Sequence, residues 1–186
     1  MLLSLIASHT SAPAVYGAAE VAIDWGTIHP RYVDYMTFSP AGTISVSGIE
    51  KGIFTCYEIK SCYEDLYSGQ GLNFIGEKNY LVTTMAVYKR ILEDQKREIN
   101  VPLIESKLPK HIKACNPESH CRVGYDIGIY IPIPVSRTKL EEFEDPTPFP
   151  SGNDRWKMVS MIPCHQDLRT RSMTEMLFLM MKARAH

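Results

Sequence analysis

No stretch of the 186-residue sequence reaches the roughly 18 apolar residues that a membrane-spanning helix needs. The opening run Met1 to Ala7 is apolar, but no Lys or Arg precedes it and it is shorter than the usual signal-peptide core. It is expected to be part of a first helix or a loose terminus. There is no Cys-x-x-Cys pair, and the five cysteines (Cys56, Cys62, Cys115, Cys121, Cys164) are odd in number. A disulfide framework is therefore disfavoured, and free thiols in a reducing cytoplasm fit better. No internal repeat and no low-complexity segment is present. Charge is nearly balanced, at −1, so net charge gives no support for nucleic-acid binding; a local basic face can still be offset by acids elsewhere.

What is present is the composition of an ordinary globular domain, 45% hydrophobic and 22% charged. The length suits a single domain spanning 1–186, able to bury a full core without disulfides or structural metal. Pro13 to Trp25 reads as a helix, with Val15, Ala18, Ala19, Ala22 and Ile23 on one stripe and Gly26 ending it. Residues 32–38 alternate as a strand, followed by a turn at 39–42, a strand at 43–47, a turn at 48–52 and a strand at 53–59. These three strands are expected to form an antiparallel meander. Residues 61–78 read as irregular or short helical structure. A buried strand at 79–84, a helix at 85–98, strands at 123–132 and 155–164, and a closing helix at 170–185 complete the pattern. Residues 136–154 read as a charged surface loop. The fold class is α/β (α+β), a mixed sheet with helices packed on it.

Chemistry concentrates at Glu58-Ile59-Lys60. Two positions apart on a strand, the carboxylate and the ammonium point to the same side of the sheet. Burying such a pair is costly without a partner. Asp34, on an earlier strand of the meander, can reach the same face. Hard oxygen ligands of this kind suit Mg²⁺, with Mn²⁺ as a substitute. Such a cation activates water and offsets charge on an attacked phosphate, and a neighbouring lysine stabilises charge developing on phosphate oxygens. The bland reading of the same residues is a surface pair of little energetic value. The mostly apolar strand from Phe54 to Lys60 argues against it.

The run Asp34…Glu58-Ile59-Lys60 on a meander after a helix resembles the PD-(D/E)xK nuclease superfamily, whose core order is helix, three-strand meander, helix, strand. The likeness covers roughly residues 15–84. Glu58-Ile59-Lys60-Ser61 followed by Asp65, the strand at 79–84, the strand at 123–132 and the last helix resembles the small MmcB-type branch linked to DNA repair. The glycine-rich segment 67–76 resembles prophage and Gram-positive relatives. Val33 stands where that family often has proline. The resemblance implies a restriction-endonuclease-like fold and a Mg²⁺-dependent deoxyribonuclease of DNA repair, phage or mobile-element biology. It implies Asp34 and Glu58 as metal ligands together with the Ile59 carbonyl, and Lys60 as the catalytic lysine. It implies a further acid on the first helix, for which Glu20 is the best-placed candidate and Asp24 the second. Arg31, Ser61, Asn73 and Lys78 are the candidate substrate contacts. Asp65 reads as a loop cap or a support for Lys60.

Other clusters carry less. His111, Cys115, His120 and Cys121 resemble a zinc set, but adjacent His120 and Cys121 are awkward in one tetrahedral site. Lys107, Lys110, His111, Lys113 and Arg122 form a basic stretch suited to phosphates or to a solvated face. Arg169 and Arg171 stand at the start of the last helix, where anions are favoured. The expected partner is DNA, with no membrane; family analogy adds a homodimer or a larger complex that supplies specificity. The alternative from another class is a nucleic-acid-binding subunit or adaptor that no longer cuts.

Overall fold

A computed structural model describes residues 1–68, 70–96, 127–135 and 155–185, with side chains 94–96 excepted. Its elements run α1 (Leu2–Thr10), β1 (Tyr16–Ala22), β2 (Tyr32–Ser39), α2 (Val46–Glu50), β3 (Ile53–Lys60), α3 (Tyr63–Ser68), β4 (Lys78–Thr83), α4 (Met85–Lys96), β5 (Gly128–Pro134), β6 (Trp156–Ile162) and α5 (Met173–Arg184). The six strands form one sheet in chain order. The first three are antiparallel, β3, β4 and β5 are mutually parallel, and β6 returns antiparallel on β5. The molecule is thus α+β, a mixed sheet with helices on it. Among the described residues, no helix is long and apolar enough to cross a membrane.

Three apolar clusters cover the sheet. α5 places Met176, Leu179 and Met180 against Ala18, Met36, Phe38, Phe54 and Cys56. α3 and α4 place Leu66, Met85, Val87 and Ile91 against Leu81, Ile129 and Ile131. α1 covers a layer that includes Tyr35, Tyr57, Val82 and Met158 with Leu2 and Ile6. Burial of this kind contributes roughly 25 cal/mol per Å² of apolar surface removed from water, and it overrides local propensity in two places.

The first is the segment 13–25, which is not a helix but the edge strand β1. Ala14 and Glu20 both have positive φ, 62° and 52°. The left-handed turn at Glu20 resets the strand's alternation, so the buried Ala18 and Val21 fall three apart. That spacing imitates a helical stripe in the sequence. Gly17 adds a tertiary reason: a Cβ there would lie 2.1 Å from the Tyr35 hydroxyl, so the ring closes over a residue with no side chain. The second is the segment 43–47. Its β-branched residues Ile44 and Val46 are exposed and pair with nothing in the sheet. Ser45 instead caps α2, its hydroxyl accepting the Gly48 amide at 3.1 Å, so the helix also replaces part of the turn expected at 48–52. A three-stranded antiparallel meander is present, but it consists of β1, β2 and β3, with α1 as the helix before it.

The remaining elements agree with the sequence pattern to within a few residues. Thr84 leaves the strand to begin α4, its carbonyl and hydroxyl accepting the Tyr88 and Val87 amides. The end of the helix expected at 85–98, the start of the strand expected at 123–132, the segment 100–122 and the loop 136–154 lie outside the described residues. So do the zinc set and the basic stretch Lys107 to Arg122. Among the described cysteines, Cys56, Cys62 and Cys164 are free. Burial pushes the Cys56 thiol up to about 12, which makes it inert.

Candidate active site

β2 and β3 pair through Tyr35 and Tyr57, and the ladder stops there. The next register position sets Asp34 opposite Glu58. Here the Asp34 side chain takes over from the backbone: its Oδ2 accepts the Ile59 amide at 2.6 Å. Ile59 thus meets Asp34 through its N–H. Lys60 follows Glu58 on the same face of β3. It is anchored through its carbonyl, which accepts the Thr83 hydroxyl at 2.5 Å. The spacing Glu-x-Lys therefore does what the sequence implies, turning both side chains into the interior face.

Both are deeply placed. Glu58 is 0% exposed and Lys60 7%. The Lys60 ammonium lies 3.3 Å from Asp65 Oδ1, at the start of α3. Asp65 is half open to solvent, so this pair is a tether for the lysine more than a source of stability. Its expected role as a support for Lys60 is the one the geometry fits.

The glycine-rich segment lies over these groups. The Asn73 amide donates to Glu58 Oε1 at 3.0 Å, while its side-chain Nδ2 donates to the Tyr32 carbonyl at 2.7 Å. Gly71 has φ 65°, and a Cβ there would come within 3.3 Å of Lys60 Nζ. Glycine at 71 thus satisfies both the left-handed backbone and the close approach to the lysine. Farther along, Glu77 Oε2 accepts the Phe54 amide at 2.9 Å, and its Oε1 pairs closely with Arg169. The Asp167 and Thr170 amides donate to the Glu77 and Ile75 carbonyls. The segment that holds Glu58 is in this way clasped to the chain entering α5.

The electrostatics are those of two carboxylates in a confined space. Burial, and then the neighbouring Asp34, push Glu58 up to about 9. Burial likewise raises Asp34, opposed by its bond from the Ile59 amide. At neutral pH the pair retains a proton. Glu58 Oε2 is buried with no N–H or hydroxyl donor among the described residues; the group it has to share a proton with is the Asp34 carboxyl. A carboxylate oxygen so placed beside a second carboxylate is the environment that a hard divalent cation relieves. The chemistry of these two carboxylates would suit Mg²⁺, and Asp34 and Glu58 are the residues that would hold it. Among the described residues no three His, Cys, Asp or Glu side chains gather as a metal cluster.

The other expected site residues are spread more widely. Glu20 is on β1 rather than on a helix, and α1 carries no acid. It is exposed, at the register position facing Asp34 between the Ala19–Tyr35 and Val21–Val33 pairs. Asp24 is committed elsewhere, accepting from Arg31 at 2.5 Å and from Arg171 at 2.6 Å. Hydrogen bonding from Arg31 leads the causes that hold its carboxyl below the usual range. Arg31 is thereby drawn to Asp24. Arg171 also pairs with Glu175 one turn on, and Arg169 with Glu77, so both arginines at the entry to α5 are tied to acids. Ser61 is exposed one residue past Lys60. Lys78 is paired with Thr55 at the far end of β4, five positions from Thr83 beside Lys60. At about 3.3 Å per residue it stands some 16 Å away along the strand. Asn73 is at the site, where its backbone amide holds Glu58 and its side-chain Nδ2 holds the Tyr32 carbonyl, so it positions Glu58.

Comparison with known protein families, curated proteins and solved structures finds no match to this chain.

Proposed function

We propose that this chain is a Mg²⁺-dependent phosphodiesterase acting on DNA, with a restriction-endonuclease-like fold. The observation that carries the reading is Asp34 facing Glu58 across adjacent strands, with Lys60 on the same face and no N–H or hydroxyl donor on one Glu58 oxygen. The order helix, antiparallel meander, helix, parallel strand, now with α1 and β1 in the first two places, supports it further.

In this reading Asp34 and Glu58 hold the cation, joined by the Ile59 carbonyl and with Glu20 as an outer carboxylate facing Asp34. Once bound, Mg²⁺ supplies an activated water and offsets charge on the phosphate. Lys60, tethered by Asp65, orients that water and stabilises the phosphate oxygens. The Asn73 and Ile59 amides keep the two carboxylates in place. The free thiols support a cytoplasmic setting, and repair, phage or mobile-element DNA is the proposed biological context. A homodimer or a larger complex would supply any sequence specificity.

The test is hydrolysis of circular and linear, single- and double-stranded DNA in Mg²⁺, Mn²⁺ or EDTA. Metal-dependent cutting is expected, with a loss of at least about a hundredfold in Lys60→Ala, as for removal of one charge-stabilising group. Equal cutting by wild type and Lys60→Ala sinks the assignment. The full burial of Glu58 favours one second reading, an adaptor on the same scaffold that binds nucleic acid and does not cut. DNA binding without hydrolysis in any metal would select it.

A further inference from the structure

We propose that two copies of this chain associate through the outward face of α5, packed antiparallel about a two-fold axis with Phe178 and Met181 at the contact. The inference does not depend on the phosphodiesterase reading; it names the surface by which a homodimer forms. Three observations carry it: an apolar helix face, a cavity beside it and the charges that flank it.

A helix packed on a sheet normally turns polar side chains to solvent. On α1 the exposed positions are Ser4, Ser8 and His9, and on α4, among the described side chains, Arg90 and Glu93. On α5 they include Phe178 and Met181, 63% and 70% exposed. At about 3.6 residues per turn, Thr174, Phe178, Met181 and Ala185 fall on one line, and all four are exposed. The other side of the helix carries Met176, Leu179 and Met180 into the core, so α5 is apolar on both sides. A phenyl ring and a methionine side by side in water, at the middle of a helix, are the composition of an interface core.

Beside Phe178 the surface opens into a cavity of about 310 Å³, lined also by Trp25, Thr27 and Lys182. Trp25 is 64% exposed and lies under the Lys182 ammonium. The face thus offers a projecting ring and, next to it, a recess walled by a second ring. A two-fold axis brings the projection of each copy to the recess of the other, as an isologous contact requires. The charges select the antiparallel arrangement. Glu175 stands in the first turn of α5 and Lys182 in the last, two turns apart on one flank of the apolar line, with Phe178 midway between them. Arg171 holds Glu175 in place from within the same copy. A second helix turned end for end sets the partner's Lys182 against Glu175 and the partner's Glu175 against Lys182. A parallel arrangement sets like charge on like and aligns the two helix dipoles. Each copy therefore carries both halves of the contact it needs.

The test is sedimentation velocity of the full chain over about a hundredfold range of concentration, since the dimer fraction rises with protein by mass action. It is run in EDTA and without DNA, so that the result stands apart from the phosphodiesterase reading. Wild type is expected to approach twice the chain mass at the upper end. Phe178→Glu is expected to remain monomeric, and Phe178→Ala to weaken association about thirtyfold, as for loss of one interface anchor. Both replace an exposed ring, and unchanged melting at the lowest concentration checks that the fold survives. Glu175→Lys and Lys182→Glu are each expected to weaken self-association about tenfold. An equimolar mixture of the two should recover it as a heterodimer, because opposite charges then meet at both pairs. A monomer throughout, its α5 face left to another partner or to none, would overturn the proposal. So would a dimer indifferent to Phe178→Glu, or charge variants that fail to recover on mixing.

Discussion

Glu58 is the residue at which the fold works against itself. Its carboxyl ionises near 4.5 in an unfolded chain, and the native site raises that to about 9. A raised acid favours the folded state fully below the unfolded value, and this stability is lost as pH rises toward the folded one. Asp34 shifts in the same direction and adds to the trend. The metal-free protein is therefore expected to melt progressively lower between about pH 5 and pH 9. Glu58→Gln keeps an oxygen for the Asn73 amide and removes the ionisation, so its profile should be flatter. At pH 8 it should melt above wild type by about 2–4 °C for each kcal/mol recovered. Thermal melts across pH in EDTA decide this, and identical slopes for the two proteins would refute it. A cation must displace the proton that the pair shares, so Mg²⁺ affinity should rise with pH toward 9, with proton release measurable by calorimetry in buffers of different ionisation enthalpy.

At the scale of elements, the segment between α3 and β4 determines where the site stands. Its described residues, 70–77, form no helix or strand, yet they are fixed at two places, by Asn73 on Glu58 and by Glu77 on Phe54 and Arg169. Glu77 has one oxygen on the strand that carries Glu58 and the other on the arm leading to α5. Glu77→Ala would leave the Phe54 amide and the part-buried Arg169 guanidinium without their acceptors. It is expected to cost about 3 kcal/mol in denaturant unfolding, as for breaking one side of a largely buried ion pair. Glu77→Gln retains an acceptor for the Phe54 amide and should cost about half as much. A loss below about 0.5 kcal/mol in the alanine variant would show that the clasp is dispensable, as exposed pairs usually are. The Asp24 bridge to Arg31 and Arg171 fastens the β1–β2 connection to α5 in the same manner, but with more solvent around it.

For the molecule as a whole, the balanced charge of −1 is matched at the centre of the sheet, where two carboxyls that share a proton meet one ammonium. A ligand that binds only the folded state stabilises it by mass action, about 2.7 kcal/mol at a hundred times its Kd. Saturating Mg²⁺ is thus expected to raise the melting temperature, more strongly at pH 8 than at pH 6, and hardly at all in Asp34→Ala. The same shift in wild type and Asp34→Ala would place the bound cation elsewhere.

Composition and alternation alone determined much of this protein. The β2, β3, β4 and β6 strands, α4 and α5 follow from short-range patterns of buried side chains, and the side-by-side placement of Glu58 and Lys60 follows from the two-residue period of any strand. Tertiary structure decided the rest. An i, i+3 apolar spacing at Ala18 and Val21 belongs equally to a helix and to a strand turned at Glu20, and only pairing with β2 and the Tyr35 ring over Gly17 selects the strand. The exposed 43–47 segment has β-branched residues and no neighbour to pair with, so the Ser45 cap prevails. Asn73 and Lys78 look alike in the sequence as polar residues downstream of the motif. The path of an irregular segment brings one onto Glu58 and leaves the other at the far end of β4, because its course is set by long-range hydrogen bonds that have no periodicity for a sequence to display.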